Sequence, residues 1–415
     1  MVYVINKNGR PLMPCLPVIA RLLLKQKKAK CIRKTPFIIK LLYDVTEYVQ
    51  PLALGIDTGS GKVGSSVSDL NGNIIYLSEI ELRNDITKNM IRRASYRRNR
   101  RNRKTRYRKA RFLNRKNSIR PNRFSPTMKS KIDSHLKEIN FVKSILPISK
   151  IILETATFDP HALKNPDVLK NKWLYQRGIN YGFANTKAYV LSRDNYSCQN
   201  CKSKSKRLEV HHIQFKSENG SDDKENLITL CKECHDKVHH DSLNLKLKGK
   251  KKSQLKHATQ MNSIRIQLLK LLPEAEETFG FVTKEHRQLY NLDKEHYVDA
   301  AIIATQGLKP NFKTKELILK RCISDGDYQR TKGVRSQLKV PTGKIQGFRK
   351  FDKVKYKGNE YFIKGRMSSG YAILMDINNE KIDLKPTPKF NLMKKIGARK
   401  TCIVNKTIIE DSILC

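Results

Sequence analysis

Apolar residues along this chain fall into short runs whose periodicity changes from one end to the other. Val2-Tyr3-Val4-Ile5 predicts a short strand, and after the turn-forming Gly9-Arg10-Pro11-Leu12-Met13-Pro14 a helical pattern extends from about Pro17 to Lys28. Three strands are expected next, over Leu52 to Asp57, Lys62 to Ser68 and Asn73 to Ile80, with Asn71-Gly72 as a hairpin signal. Ile151-Ile152-Leu153-Glu154 is a buried type of strand ending in a carboxylate, and Glu295 to Ala304 is an apolar helix with Asp299 near its start. Glu209 to Ile213 forms a short strand, Glu225 to Leu230 leads towards a cysteine pair, and Cys234 to His239 is helical. Gly347 to Leu384 alternates in strand fashion around Lys357-Gly358-Asn359, Ser369-Gly370 and Asn378-Asn379, which predicts a small β-barrel-like module. No apolar run approaches the length of a membrane span, and no internal repeat is visible.

That pattern buries three acidic residues. A carboxylate inside an apolar run is costly unless it is paired or bound to metal. Asp57 taken alone is equally a turn residue. Asp57, Glu154 and Asp299 together predict a two-metal phosphodiesterase site, since carboxylates from two strands and a helix clamp two Mg²⁺ ions about 4 Å apart. His296 lies three residues before Asp299, on the same helical face, as a base or leaving-group partner. Asp57-Thr58-Gly59-Ser60 also matches the active turn of aspartic proteases, but no second such string occurs.

Charge then selects the partner. The 415 residues hold 84 Lys and Arg against 38 Asp and Glu, a net charge of +46. Such a field attracts a polyanion, and nucleic acid is the expected partner; the length calls for more than one domain. The most basic stretch, Ile91 to Lys116, carries 14 Lys or Arg. Its residues favour a helix, yet charge all round repels itself unless phosphates neutralise it. A solvated arm is the bland alternative. The expected contacts are Arg92, Arg93, Arg97, Arg98, Arg100, Arg101, Arg103, Arg106, Arg108 and Arg111, with Tyr96, Tyr107 and Phe112 available for stacking.

Cys198-x-x-Cys201 and Cys231-x-x-Cys234 have the spacing that folds four thiolates around one tetrahedral zinc. A filled coordination sphere makes that metal structural, so chemistry there falls to His211, His212, Asn226, His235 and His239. Cys15, Cys31, Cys322, Cys402 and Cys415 are scattered, which implies a reducing compartment and no disulfide framework.

From Cys198 to His239 the pattern resembles the HNH, or ββα-metal, nuclease family. The resemblance implies that His212 is the general base activating water. It implies that His211 and His235, with His239 as a further candidate, hold one divalent ion, and that Asn226 orients the loop carrying the base. The order of features along the whole chain, from Pro-Leu-Met-Pro through Asp57, the arginine-rich helix, Glu154 and the HNH module to His296-x-x-Asp299, resembles IscB, the transposon-encoded RNA-guided endonucleases.

This second resemblance implies a multidomain α/β plus α+β chain: an RNase H-like RuvC mixed sheet split in three, an inserted zinc-containing HNH module and a small C-terminal β-rich module. The expected limits are an N-terminal PLMP domain over 1–50, RuvC segments over 51–83, 126–175 and 251–310, an arginine-rich bridge helix over 84–125 and an HNH domain over 176–250. Residues 311–415 would read the target-adjacent motif and touch RNA. The implied cofactors are two Mg²⁺ in RuvC, one in HNH, and structural Zn²⁺. The implied partners are an omega guide RNA and double-stranded DNA with an adjacent motif, in a monomeric ribonucleoprotein of the prokaryotic cytoplasm that joins the nucleoid when bound to DNA. HNH would cut the guide-paired strand and RuvC the displaced one. The alternatives are a non-cutting guide-RNA-binding transposon regulator and a guide-independent HNH homing-type nickase.

Overall fold

The computed structural model describes residues 1–103, 124–178, 180–204, 207–218, 220–240, 245, 255–324 and 344–409. They form two compact units, one of Met1–Ala156 with Ser263–Cys415 and one of Thr157–Asn262. In the first unit the N-terminal strand Tyr3–Ile5 lies parallel to Ile38–Leu41, which pairs antiparallel with Ala29–Arg33. Helix Pro17–Lys25 takes Pro17 at its first turn, where no amide partner is needed, and buries Ala20 against Val4, Ile39 and Leu41. The helix ends earlier than its sequence pattern because Lys27 takes a left-handed conformation with φ of 57°.

A seven-stranded sheet organises the rest of this unit. Its strand order is Glu276–Phe279, Ile148–Thr155, Leu52–Asp57, Lys62–Ser68, Ile74–Glu81, Glu316–Cys322 and Cys402–Ile408. The Leu52, Lys62 and Ile74 strands form an antiparallel meander, while the Ile148 strand runs parallel to the Leu52 strand and the Glu276 strand parallel to it in turn. Every residue of the Leu52 strand is buried, as its unbroken apolar run requires of a strand covered on both faces. The Glu316 and Cys402 strands also belong to this sheet, although sequence reading assigns their segment to the C-terminal region.

One face of the sheet receives helix His296–Thr305 at very short range. A Cβ added at Gly55 would stand 2.4 Å from the carbonyl oxygen of Ala300, and one at Gly64 would stand 1.8 Å from that of His296. Glycine is therefore required at both positions: the helix meets Gly55 with Ala300 and Ala304, and Gly64 with the backbone of His296 and Tyr297. The other face receives helix Pro126–Lys143, whose Glu138 is buried with Lys320. The carboxylate of Glu138 accepts from Lys320 Nζ at 2.7 and 2.6 Å, and from the hydroxyls of Tyr76, Ser78 and Ser65 at 2.8, 2.8 and 3.0 Å. Burial pushes this carboxyl up, but the Lys320 charge and these hydrogen bonds outweigh it and hold it below its ordinary range.

Residues 353–397 form a five-stranded antiparallel sheet ordered Lys381–Ile382, Ala372–Met375, Asn359–Arg366, Lys353–Tyr356 and Lys394–Gly397. The expected barrel-like closure is not formed among the described residues: the sheet has two edge strands, Lys381–Ile382 and Lys394–Gly397. In the second unit, strands Leu208–His212 and Leu227–Cys231 form an antiparallel hairpin followed directly by helix Lys232–His239. No helix among the described residues is long and apolar enough to cross a membrane.

Lys320→Met leaves the buried Glu138 without its cation and is expected to cost about 3–5 kcal/mol in urea unfolding. Adding Glu138→Leu should recover much of that loss. An unchanged midpoint for the single variant would show that the pair does not hold the helix to the sheet.

Candidate metal centres

Asp57 and Glu154 are register partners in adjoining parallel strands, so their carboxylates leave the sheet side by side. His296 Nδ1 lies 2.5 Å from Asp57 Oδ2, reaching it from the first residue of the helix that Gly55 and Gly64 admit. Burial drives the Asp57 carboxyl above its ordinary range against the bond to His296, and the nearby Asp299 adds to the rise. His296 is raised as well, because its bond to Asp57 outweighs its burial. The different exposures of the side chains, 40% for His296 and 8% for Asp57, account for burial ruling one and the pair ruling the other.

Burial and the charge of Asp57 raise Glu154 to about 7, although the Thr283 hydroxyl donates to its carboxylate. A Cβ on Gly280 would stand 3.0 Å from Glu154 Oε1, and Arg287 donates to Asp299 Oδ1 at 2.6 Å. Gly280, Thr283 and Arg287 all belong to helix Gly280–Leu289 and recur at three- and four-residue intervals, which puts them on one face. Sequence reading finds the carboxylates but misses this face; the available signal is the spacing of the three residues in the segment just before His296. Adjacent carboxylates, of which Asp57 raises Glu154 while Asp299 raises both, suit a divalent cation, which would relieve their repulsion. Asp299 is held instead by Arg287, and the three carboxylates do not come together as closely as the two ligand groups of the second unit.

In that unit the thiol sulfurs of Cys198, Cys201, Cys231 and Cys234 all lie within 4.8 Å of one another, as do ring nitrogens of His211, His235 and His239. The cysteines come from the two knuckles the spacing marks, and Asn200 Nδ2 donates to Cys234 Sγ at 3.3 Å. The donor set fits zinc. His211 is buried, and neither of its ring nitrogens has a hydrogen-bond partner; the buried Nδ1 of His235 has none either. An unpaired buried donor or acceptor is costly, and a metal ion supplies the missing partner.

His212 stands apart from this trio, with Nε2 at 2.8 Å from Asp222 Oδ1. Asp222 also pairs with Lys216 at 2.8 Å, and the contacts with Lys216 and His212 hold its carboxyl below the ordinary range. Asn226 is fully buried: Oδ1 accepts from the Gln214 amide at 2.9 Å, and Nδ2 donates to the carbonyls of Gln214 and Ser221 at 3.1 and 2.8 Å. It closes the loop that follows His212. Asp222 is not marked by the motif.

The arginine-rich segment is helical over Ile86–Arg103, with Arg92, Arg93, Arg97 and Arg98 exposed. The side chains of Tyr96, Arg100, Arg101 and Arg103, and the whole of Arg106, Tyr107, Arg108, Arg111 and Phe112, lie outside the described residues.

Residues 2–178 match the family described as RRXRR protein, and residues 198–241 match HNH endonuclease. An HNH endonuclease domain is thus present around the cysteine and histidine clusters. Anaredoxin of Nostoc sp. (strain PCC 7120 / SAG 25.82 / UTEX 2576) is 36% identical over 56 residues, 14% of this chain and 74% of that protein, which places the matched stretch and that protein in one family. Among solved structures, Streptococcus thermophilus Cas9 in complex with the AGAA PAM matches at 11% identity and a TM-score of 0.34, over 60% of this chain and 32% of that one. The Type II-C Cas9 enzyme from Actinomyces naeslundii matches at 14% identity and a TM-score of 0.17, over 44% of this chain and 28% of that one. The chain thus spans about a third of the length of these solved proteins.

Elemental analysis of the purified protein should find one zinc per chain, and Cys231→Ser should lose it together with the fold of the hairpin. Active protein without zinc would contradict the site. A second expectation concerns pH. Glu154 is raised from 4.5 to about 7, so the folded state holds this proton more tightly than the unfolded one. Its contribution favours folding below the ordinary carboxylate range and is lost as pH rises through about 7. In magnesium-free protein the urea midpoint should therefore fall across that window, and Glu154→Gln should flatten the fall. An equal slope in both proteins would show that Glu154 does not titrate there.

Proposed function

We propose that this chain, an IscB-like protein with an HNH endonuclease module, is an RNA-guided endonuclease of double-stranded DNA. The His212 centre cuts the guide-paired strand, and the Asp57 centre cuts the displaced strand. The carrying observation is that one strongly cationic chain holds two separate groups of side chains suited to metal, one of register-paired carboxylates and one of clustered histidines. The family match over residues 2–178 and the HNH match support the same reading. So does the mixed sheet, whose Leu52 to Glu81 strands, Ile148 strand and His296 helix come from three separated stretches, as an RNase H-like RuvC domain split in three requires.

Each centre has a histidine placed to move a proton. With Nε2–H of His212 donated to Asp222, the Nδ1 lone pair is free to take a proton from water. Asn226 keeps the following loop closed, and with it the placement of that ring. In the other unit His296, paired to Asp57, holds a proton that it can deliver to a leaving oxygen. Mg²⁺, two ions at Asp57, Glu154 and Asp299 and one at His211, His235 and His239, supplies neutralisation of the scissile phosphate when bound. Arg92, Arg93, Arg97 and Arg98 offer phosphate contacts to an omega guide RNA, and the C-terminal region 311–415 reads the target-adjacent motif and touches RNA. The protein works as a monomeric ribonucleoprotein in the prokaryotic cytoplasm.

With guide RNA and a duplex labelled separately on each strand, Asp57→Ala should leave a nickase for the guide-paired strand and His212→Ala the complementary nickase. The double variant should bind without cutting. Loss of both cuts in Asp57→Ala, with folding and DNA binding intact, would favour a single centre acting on both strands in turn.

A further inference from the structure

The residue that follows Gly280 is out of keeping with a charged surface. Phe281 is 70% exposed, although it stands one residue from the glycine that lies against the Glu154 carboxylate. Its ring is parallel to that of the half-buried Phe279, at 6.0 Å between centroids and 7° between planes. Phe279 ends the Glu276 strand and Gly280 begins the next helix, so the pair sits at a strand-to-helix junction and not on a mobile arm. Lys284 is exposed one helical turn after Phe281, on the same face.

The distances limit what this face can meet. A Cβ on Gly280 would be 3.0 Å from Glu154 Oε1, and the next Cα lies about 3.8 Å further along the chain. An aromatic ring therefore starts within about one nucleotide's length of the carboxylates. Nucleobases stack on such rings whatever their sequence, and a lysine beside the ring suits the phosphate of the stacked nucleotide. Phe279 backs the exposed ring and fixes its plane.

We propose that Phe281, backed by Phe279, is a stacking platform for one base of the single-stranded DNA cut at the Asp57 centre, placing the neighbouring phosphate over Asp57 and Glu154. The inference rests on the nuclease reading of that centre. It makes Phe281 a positioning residue for the displaced strand only, and it assigns the platform no base preference.

Two measurements test it. In the first, a single-stranded oligonucleotide carries 2-aminopurine at successive positions and is mixed with Asp57→Ala protein, which should bind without cutting at this centre. Fluorescence should be quenched at one position, and the quench should be lost in Phe281→Ala and kept in Phe281→Tyr. In the second, the guide-loaded complex cuts a duplex labelled on each strand. Phe281→Ala should slow the displaced-strand cut by about tenfold and leave the guide-paired cut unchanged, with Phe281→Tyr close to the parent protein. A quench that survives Phe281→Ala, or an unchanged displaced-strand rate, overturns the proposal. If the parent protein cuts no displaced strand, the nuclease reading of the Asp57 centre fails, while the quench still decides whether Phe281 stacks a base.

Discussion

Helix His296–Thr305 can bring a polar edge to Asp57 only because two strands beneath it carry no side chain at the point of contact. Gly55 and Gly64 let the helix backbone approach until a single Cβ would overlap the carbonyls of Ala300 and His296. That approach sets where His296 and Asp299 stand relative to the ends of the Leu52 and Ile148 strands. The site's electrostatics follow from it. Asp57 is buried by the helix it pairs with, and Glu154 rises because Asp57 is its register partner. The opposite face of the sheet carries the compensating device, an ion pair of Glu138 and Lys320 with three hydroxyls around it.

The second unit achieves placement by another route. It has a two-stranded hairpin and short helices, too little to bury a large core, and its four clustered thiols suit a metal ion, which would supply the constraint that packing does not. The hairpin then holds His211 and His212 on successive residues, which point to opposite faces of a strand. One ring joins His235 and His239, and the other reaches Asp222. Alternation along one strand thus separates His211, clustered with two further histidines, from His212.

Legibility in the sequence followed the strength of local signals. The Leu52, Lys62 and Ile74 strands were readable because apolar runs, Gly-rich turns and Asn71-Gly72 bound them closely. The cysteine knuckles and the His235 to His239 spacing were readable because metal ligands have fixed intervals. The Glu316 and Cys402 strands were not assigned to the large sheet, since both mix apolar residues with Lys, Arg or Asn, and only the Cys402 strand is an edge; the Glu316 strand joins it to the Ile74 strand through pairings far apart in sequence. Arg287, Thr283 and Asp222 escaped notice for a related reason. Each acts through a long-range partner, Asp299, Glu154 or His212, and sequence spacing carries no trace of that pairing beyond a helical interval.

The central claim is that bound RNA, not the protein surface, chooses where both centres cut. Purification from cells carrying the native flanking DNA, with sequencing of the bound RNA, identifies the guide segment. That segment is then replaced by one matching a new site in the same plasmid. The account predicts that cuts on both strands move to the new site. Cutting that stays at the old site, or that proceeds without RNA, would contradict it.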